Sequence, residues 1–168
     1  MPYDPEIHHR HSIRLRGYDY SQSGQYYVTI CTHKNERLFG EIIRGEMRRN
    51  EFGDSVASCW EWLARQYSYI ALDDWVVMPN HLHGIVAITD CRGGSRTAPT
   101  KRKTLGRLIG AFKTVSTDQL NEIRGNPGAQ LWQRDFYDHI IRNEDELNKI
   151  REYIRTNPLR WGFDPEDM

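Results

Sequence analysis

Two apolar runs, Trp75-Val76-Val77-Met78 and His81 to Thr89 (HLHGIVAIT), are separated by Pro79-Asn80 alone. Proline removes a backbone donor and asparagine favours tight-turn geometry, so the runs read as two strands joined by a short turn. Strands joined that closely must pair antiparallel, and a sheet this apolar needs a covering layer. The flanking sequence supplies one. Asn50 to Asp54 offers helix-start chemistry before Val56, Trp60, Leu63 and Tyr67, which fall at helical spacing. Thr104 caps a second pattern, in which Leu105, Leu108, Ile109, Phe112 and Val115 share one face and Leu120 and Ile123 continue it. Gly125-Asn126-Pro127-Gly128 ends that helix.

Further strands come earlier in the chain. Gln25 to His33 (QYYVTICTH) is rich in β-branched and aromatic residues after the turn-forming Ser21-Gln22-Ser23-Gly24, and Leu38 to Ile43 and Glu46 to Arg48 flank an Arg44-Gly45 turn. The last helix starts at Asn143, with Glu146 three residues on, and runs to Asn157 before Pro158. Strands and helices mixed out of strict alternation predict an α+β fold, with helices packed on one antiparallel sheet. A length of 168 residues fits one domain spanning 1–168, large enough to bury a sizeable core.

No apolar run approaches the roughly 20 residues of a membrane helix. The start, MPYDPEIHHRHSIRLRG, carries acidic residues and no apolar stretch of the signal-peptide kind, so the expectation is a cytoplasmic protein with no membrane partner. Cys31, Cys59 and Cys91 are odd in number and have no CxxC spacing, which argues against a disulfide framework or a zinc ribbon. The net charge is zero, yet residues 92–124 hold eight basic and two acidic side chains. Within that excess, residues 90–103 (DCRGGSRTAPTKRK) have no periodicity and read as a flexible basic loop.

The chemistry concentrates in two places. His81 and His83 stand two apart in a strand and so project from one face, where two imidazoles can share one metal ion or simply pack as core histidines. In the last helix Leu147, Ile150 and Ile154 form the apolar stripe, and Tyr153 and Asn157 lie one turn apart beside it. That pair is either a nucleophile beside a ligand or a margin tyrosine beside a helix-ending asparagine.

Together these blocks resemble the REP-associated tyrosine transposases. The similarity is carried by Tyr18-Asp19-Tyr20, by Tyr26 to Thr32, by MPNHLHGIV at 78–86, by LWQRDFYDHIIRNEDEL at 131–147 and by Tyr153-Ile154-Arg155-Thr156-Asn157-Pro158, in that order. What the resemblance implies is a ferredoxin-like α+β fold, its helices mainly on one face, and an HUH-type enzyme that cuts and rejoins single-stranded or hairpin DNA at repeated palindromes. It places the family's metal-binding histidines on His81 and His83, its nucleophile on Tyr153 and its polar third ligand on Asn157, where related enzymes tend to have glutamine. Tyr137 is a rival nucleophile, but the residue four further on is Ile141, which cannot bind metal.

The residues themselves suggest how such a site works. An ordinary phenol, with a pKa of about 10, is protonated at neutral pH, so attack on a phosphodiester needs charge neutralisation and a positioned target. Two neutral imidazoles, an amide oxygen and phosphate oxygens suit Mg²⁺ or Mn²⁺ acting as a Lewis acid. Tyr153 then displaces a 3′-hydroxyl and leaves a 5′-phosphotyrosine link that another 3′-hydroxyl reverses. Arg102, Lys103, Arg107 and Lys113 are candidate phosphate contacts, as is Lys149, one turn before Tyr153. Other readings are a catalytically silent hairpin-binding module, or a phosphodiesterase in which water attacks; the chain acts as a monomer or a homodimer.

Overall fold

A computed structural model of the chain describes residues 14–90, 102–163 and 167. The polar stretch read as a flexible basic loop therefore lies, over 91–101, outside the described residues. In chain order the elements are β1 (Gly24–Cys31), β2 (Gly40–Ile43), β3 (Glu46–Arg49), α1 (Glu51–Gln66), β4 (Ile70–Val77), β5 (His81–Ile88), α2 (Leu105–Ile123), β6 (Tyr137–Ile141) and α3 (Glu144–Thr156), with short 3-10 turns at His33–Asn35 and Asn157–Arg160.

Strands β1, β4, β5 and β6 form one sheet in the order β4-β5-β1-β6, every neighbouring pair antiparallel. Leaving aside the separate β2-β3 hairpin, the connectivity is βαββαβ, the ferredoxin-like arrangement that the resemblance implied. The β4-β5 hairpin turns at Pro79-Asn80, where the Met78 N–H donates to the His81 carbonyl at 2.8 Å. The β2-β3 turn has both central residues at positive φ, Arg44 at 53° and Gly45 at 77°, which matches the right-handed twist of the strands it joins.

Side-chain alternation divides the sheet into two differently used faces. Tyr26, Val28, Ile30, Leu82, Val86 and Ile88 face α1 and α2 and join Trp60, Leu63, Leu108 and Phe112 in the main core. Gly84 belongs to that face: a Cβ there would meet Trp60 Cζ2 at 2.6 Å, so the indole fills the space a side chain would need. The opposite face carries Tyr27, Val76, Ile85 and Ile141, which α3 covers with Leu147, Ile150 and Ile154. Helices on mainly one face thus describes α1 and α2, while α3 takes the other.

The caps follow the sequence closely. Asn50 accepts from the Gly53 N–H, Thr104 from the Arg107 N–H and Asn143 from the Glu146 N–H. Three details differ. Strand β4 begins at Ile70 and not at Trp75, because a bulge between Leu72 and Trp75 admits Asp73 and Asp74 and breaks the apolar run. The polar Tyr137–Ile141 segment is a strand, held against β1. Ile123, expected on the buried stripe of α2, is 41% exposed at the last residue of the helix.

Candidate active site

His81 and His83 lie on β5, an interior strand flanked by β4 and β1, and both are buried, 0% and 1% exposed. Their Nε2 atoms face each other at 3.0 Å. Each ring is held from behind through Nδ1. Asn80 Oδ1 lies 2.6 Å from His81 Nδ1 and can only accept, so Nδ1 carries the His81 proton and Nε2 keeps its lone pair. His83 Nδ1 lies 2.8 Å from the Tyr27 hydroxyl and 2.9 Å from Thr29 Oγ1. With His81 Nε2 left as an acceptor, the His83 Nε2–H donates to it and His83 Nδ1 accepts from a hydroxyl; these hydroxyls can also accept, so the His83 proton can move to Nδ1 once Nε2 is needed as a ligand. Burial, and then the neighbouring His81, hold the His83 pKa well below the ordinary histidine value, which keeps the ring neutral.

The register explains how these groups meet. Thr29 pairs with His83 across the β1-β5 ladder, and Thr29 pairs with Tyr137 across β1-β6, so Tyr137, Thr29, Tyr27 and both histidines share the α3 face. The same rule puts His139 on that face, where its Nε2 and Glu146 Oε1 stand 2.5 Å apart at the start of α3.

Helix α3 brings Tyr153 edge-on against His83. Its ring centroid lies 5.4 Å from that of His83 and 6.4 Å from that of Tyr27. Asn157, one turn on, is 1% exposed and ends α3, its backbone N–H donating to the Ile154 carbonyl. Tyr137 packs on Tyr27 instead, with ring centroids 6.1 Å apart, and is 41% exposed. The helix itself is tied to the bulge of β4: Arg151 binds Asp73 and Arg155 Nε lies 2.6 Å from Asp74 Oδ2.

The candidate DNA-contacting cations are not gathered here. Arg102 binds Asp90 at 2.9 Å and reaches Ser23 and Thr89, at the end of β5 remote from His81. Lys103 sits 5.3 Å over the Tyr67 ring, and Arg107 is exposed on the first turn of α2. Lys113 Nζ donates to the carbonyls of Gln133, Arg134 and Asp135 at 2.8, 3.2 and 3.1 Å, and burial pushes its pKa down to about 8. Only Lys149, exposed on α3, shares an element with Tyr153.

Sequence reasoning missed the groups that complete the site. Tyr27, Thr29 and Asn80 orient the rings, and Trp161 stacks on His81 at 6.3 Å with an interplanar angle of 21°. Alternation along β1 marks Tyr27 and Thr29 as one-faced, but only the pairing register shows which face that is.

Comparison with known proteins fits this architecture. No family model matches the chain. A Haemophilus influenzae protein described as uncharacterized is 37% identical over 173 aligned positions, covering 96% of this chain and 95% of its own length. A second protein of that organism, described as a candidate REP-associated tyrosine transposase, is 24% identical over 86% of this chain and 76% of its own. Among solved structures, a REP-associated tyrosine transposase bound to a REP hairpin superposes with a TM-score of 0.60 at 18% identity, covering 90% of this chain and 75% of its own. A candidate transposase from Deinococcus radiodurans gives a TM-score of 0.50 at 17% identity, over 84% and 95%. No helix among the described residues is long and apolar enough to cross a membrane. The chain belongs to one family with the Haemophilus protein it matches almost end to end, and its fold is that of the REP-associated tyrosine transposases.

Proposed function

We propose that this protein is a divalent-metal-dependent enzyme that cuts and rejoins single-stranded DNA at palindromic hairpins through a phosphotyrosine link. The observation that carries the reading is the convergence of His81 Nε2 and His83 Nε2, 3.0 Å apart, with the ring of Tyr153 packed edge-on against His83. The hairpin enters because the solved transposase that shares this fold is bound to one.

The donor set fits a hard divalent ion. His81 Nε2 and His83 Nε2, 3.0 Å apart on one face of the sheet, would be the two ring nitrogens that hold the ion. Asn80 keeps His81 in the tautomer that frees Nε2, and a reversal of the Tyr27 and Thr29 hydroxyls does the same for His83. Among the described residues no three His, Cys, Asp or Glu side chains come together, and the assignment of the remaining positions to oxygens of Asn157, the phosphate and water is part of this reading. That composition favours Mg²⁺ or Mn²⁺ over zinc. When bound, the ion supplies Lewis-acid polarisation of the scissile phosphate.

The chain's own residues do the rest. The Tyr153 oxygen forms a bond to phosphorus as the bond to the 3′-oxygen breaks, and the phenol proton ends on the departing 3′-hydroxyl. The 5′-phosphotyrosine link conserves the energy of the phosphodiester, so a 3′-hydroxyl from another strand can reverse the step at the same site. Packing of Tyr153 on His83 holds the nucleophile near its target without a long search.

The test is a denaturing gel with labelled hairpin DNA and Mn²⁺. Wild-type protein and the Tyr137→Phe variant are expected to give a covalent protein-DNA band, and Tyr153→Phe to bind without giving one. An adduct in Tyr153→Phe together with its loss in Tyr137→Phe moves the nucleophile to Tyr137 and overturns the assignment.

A further inference from the structure

The residues proposed for the chemistry continue on both sides into charged groups. Arg160 lies 5.7 Å over the Tyr153 ring. Trp161 stacks on His81, and Arg37 lies 5.2 Å from the centre of that indole. The result is a series running Arg160, Tyr153, His83, His81, Trp161, Arg37, with a guanidinium at each end and the candidate metal ligands in the middle.

Among the described residues, these two arginines differ from their neighbours in how their charge is partnered. Arg151 and Arg155, on the same helix as Tyr153, are matched by Asp73 and Asp74. Arg102, in the basic segment, is matched by Asp90. Arg160 and Arg37 are both exposed and make no ion pair with any described carboxylate; Arg37 Nη2 donates instead to the Asp167 backbone carbonyl at 3.4 Å. A guanidinium held flat over an aromatic ring is positioned while its N–H edge stays open to an anion.

We infer that Arg160 and Arg37 form the backbone-binding track of this site, each taking a phosphate of one single strand on either side of the phosphate presented to Tyr153. The inference rests on the strand-transfer reading and names where its substrate is gripped. It replaces the basic segment at 102–113 as the principal phosphate contact: Arg102 sits at the remote end of β5, and Lys113 is bound to backbone carbonyls. Contacts of this kind carry no base information, so the track is expected to hold strands of any sequence.

The experiment measures binding of fluorescent oligothymidylate by Tyr153→Phe protein across a salt series, with adduct formation by wild-type protein on a hairpin read in parallel. Arg160→Gln and Arg37→Gln, each added to Tyr153→Phe, are expected to weaken binding several-fold and to flatten the slope of log K against log salt by about 0.7 per arginine removed. Arg160→Lys and Arg37→Lys, which keep the charge, are expected to retain the slope. Unchanged slopes in both glutamine variants, with the wild-type adduct still formed, overturn the track and leave the strand-transfer reading standing. No oligothymidylate binding by the Tyr153→Phe protein itself, together with no adduct from wild-type protein, overturns the two together.

Discussion

Arg151 grips Asp73 with both carboxylate oxygens, Nε to Oδ1 at 2.9 Å and Nη2 to Oδ2 at 2.6 Å, and so fastens the helix that carries Tyr153 to the edge strand of the sheet. The pair is 27% and 20% exposed, dry enough for a bidentate bond to count. Asp73→Ala is expected to lower the midpoint of urea unfolding, since it removes both acceptors from the Arg151 guanidinium. An unchanged midpoint would show that the apolar stripe of α3 holds the helix alone.

The same bond sets a pH dependence. The Arg151 side chain holds the Asp73 carboxyl below the usual aspartate range. A carboxylate with a depressed folded-state pKa contributes fully above its unfolded value of about 3.9, and that contribution is lost as pH falls through the folded one. Wild-type stability is therefore expected to drop below about pH 4 more steeply than that of Asp73→Asn, as followed by circular dichroism. Parallel curves would remove the bridge from the account.

Lys113 is expected to act in stability and not in DNA binding. Its ammonium gathers three carbonyls of the segment leading from α2 toward β6, and Gln133 in that segment donates its N–H to the Cys31 carbonyl at the end of β1. Lys113→Met is expected to lower unfolding stability by about 1–2 kcal/mol and to leave the salt slope of oligothymidylate binding as it was. A flattened slope with unchanged stability would return Lys113 to the nucleic-acid interface.

Asn80 tests the readiness of the histidines for metal. Asn80→Ala removes the acceptor behind His81 Nδ1 and is expected to weaken Mn²⁺ binding about 10–100-fold in an electron paramagnetic resonance titration. Equal affinities would mean that packing alone sets the His81 tautomer.

How much of this was legible beforehand follows from the reach of each signal. The β4-β5 hairpin, the capped helices and the one-faced histidines come from spacing within about ten residues, where alternation and helical period act directly. Strand β6 escaped because Asp138 and His139 interrupt its apolar pattern, and the first half of β4 because the bulge does the same. The basic run between 92 and 124 marked charge but not its partners: Asp90 takes Arg102, and the 133–135 carbonyls take Lys113. Arg37 and Trp161 lie over a hundred residues apart, and no local pattern joins them.

On the proposed reading Tyr153, packed against His83, forms the covalent bond to DNA beside the two histidines that would hold one divalent ion. The most direct test is peptide mapping by mass spectrometry after wild-type protein reacts with hairpin DNA and Mn²⁺. The account predicts a 5′-phosphonucleotide on the peptide containing Tyr153, lost on adding EDTA before the DNA. A nucleotide on Tyr137, or hairpin cleavage over many turnovers with no modified peptide, would contradict it.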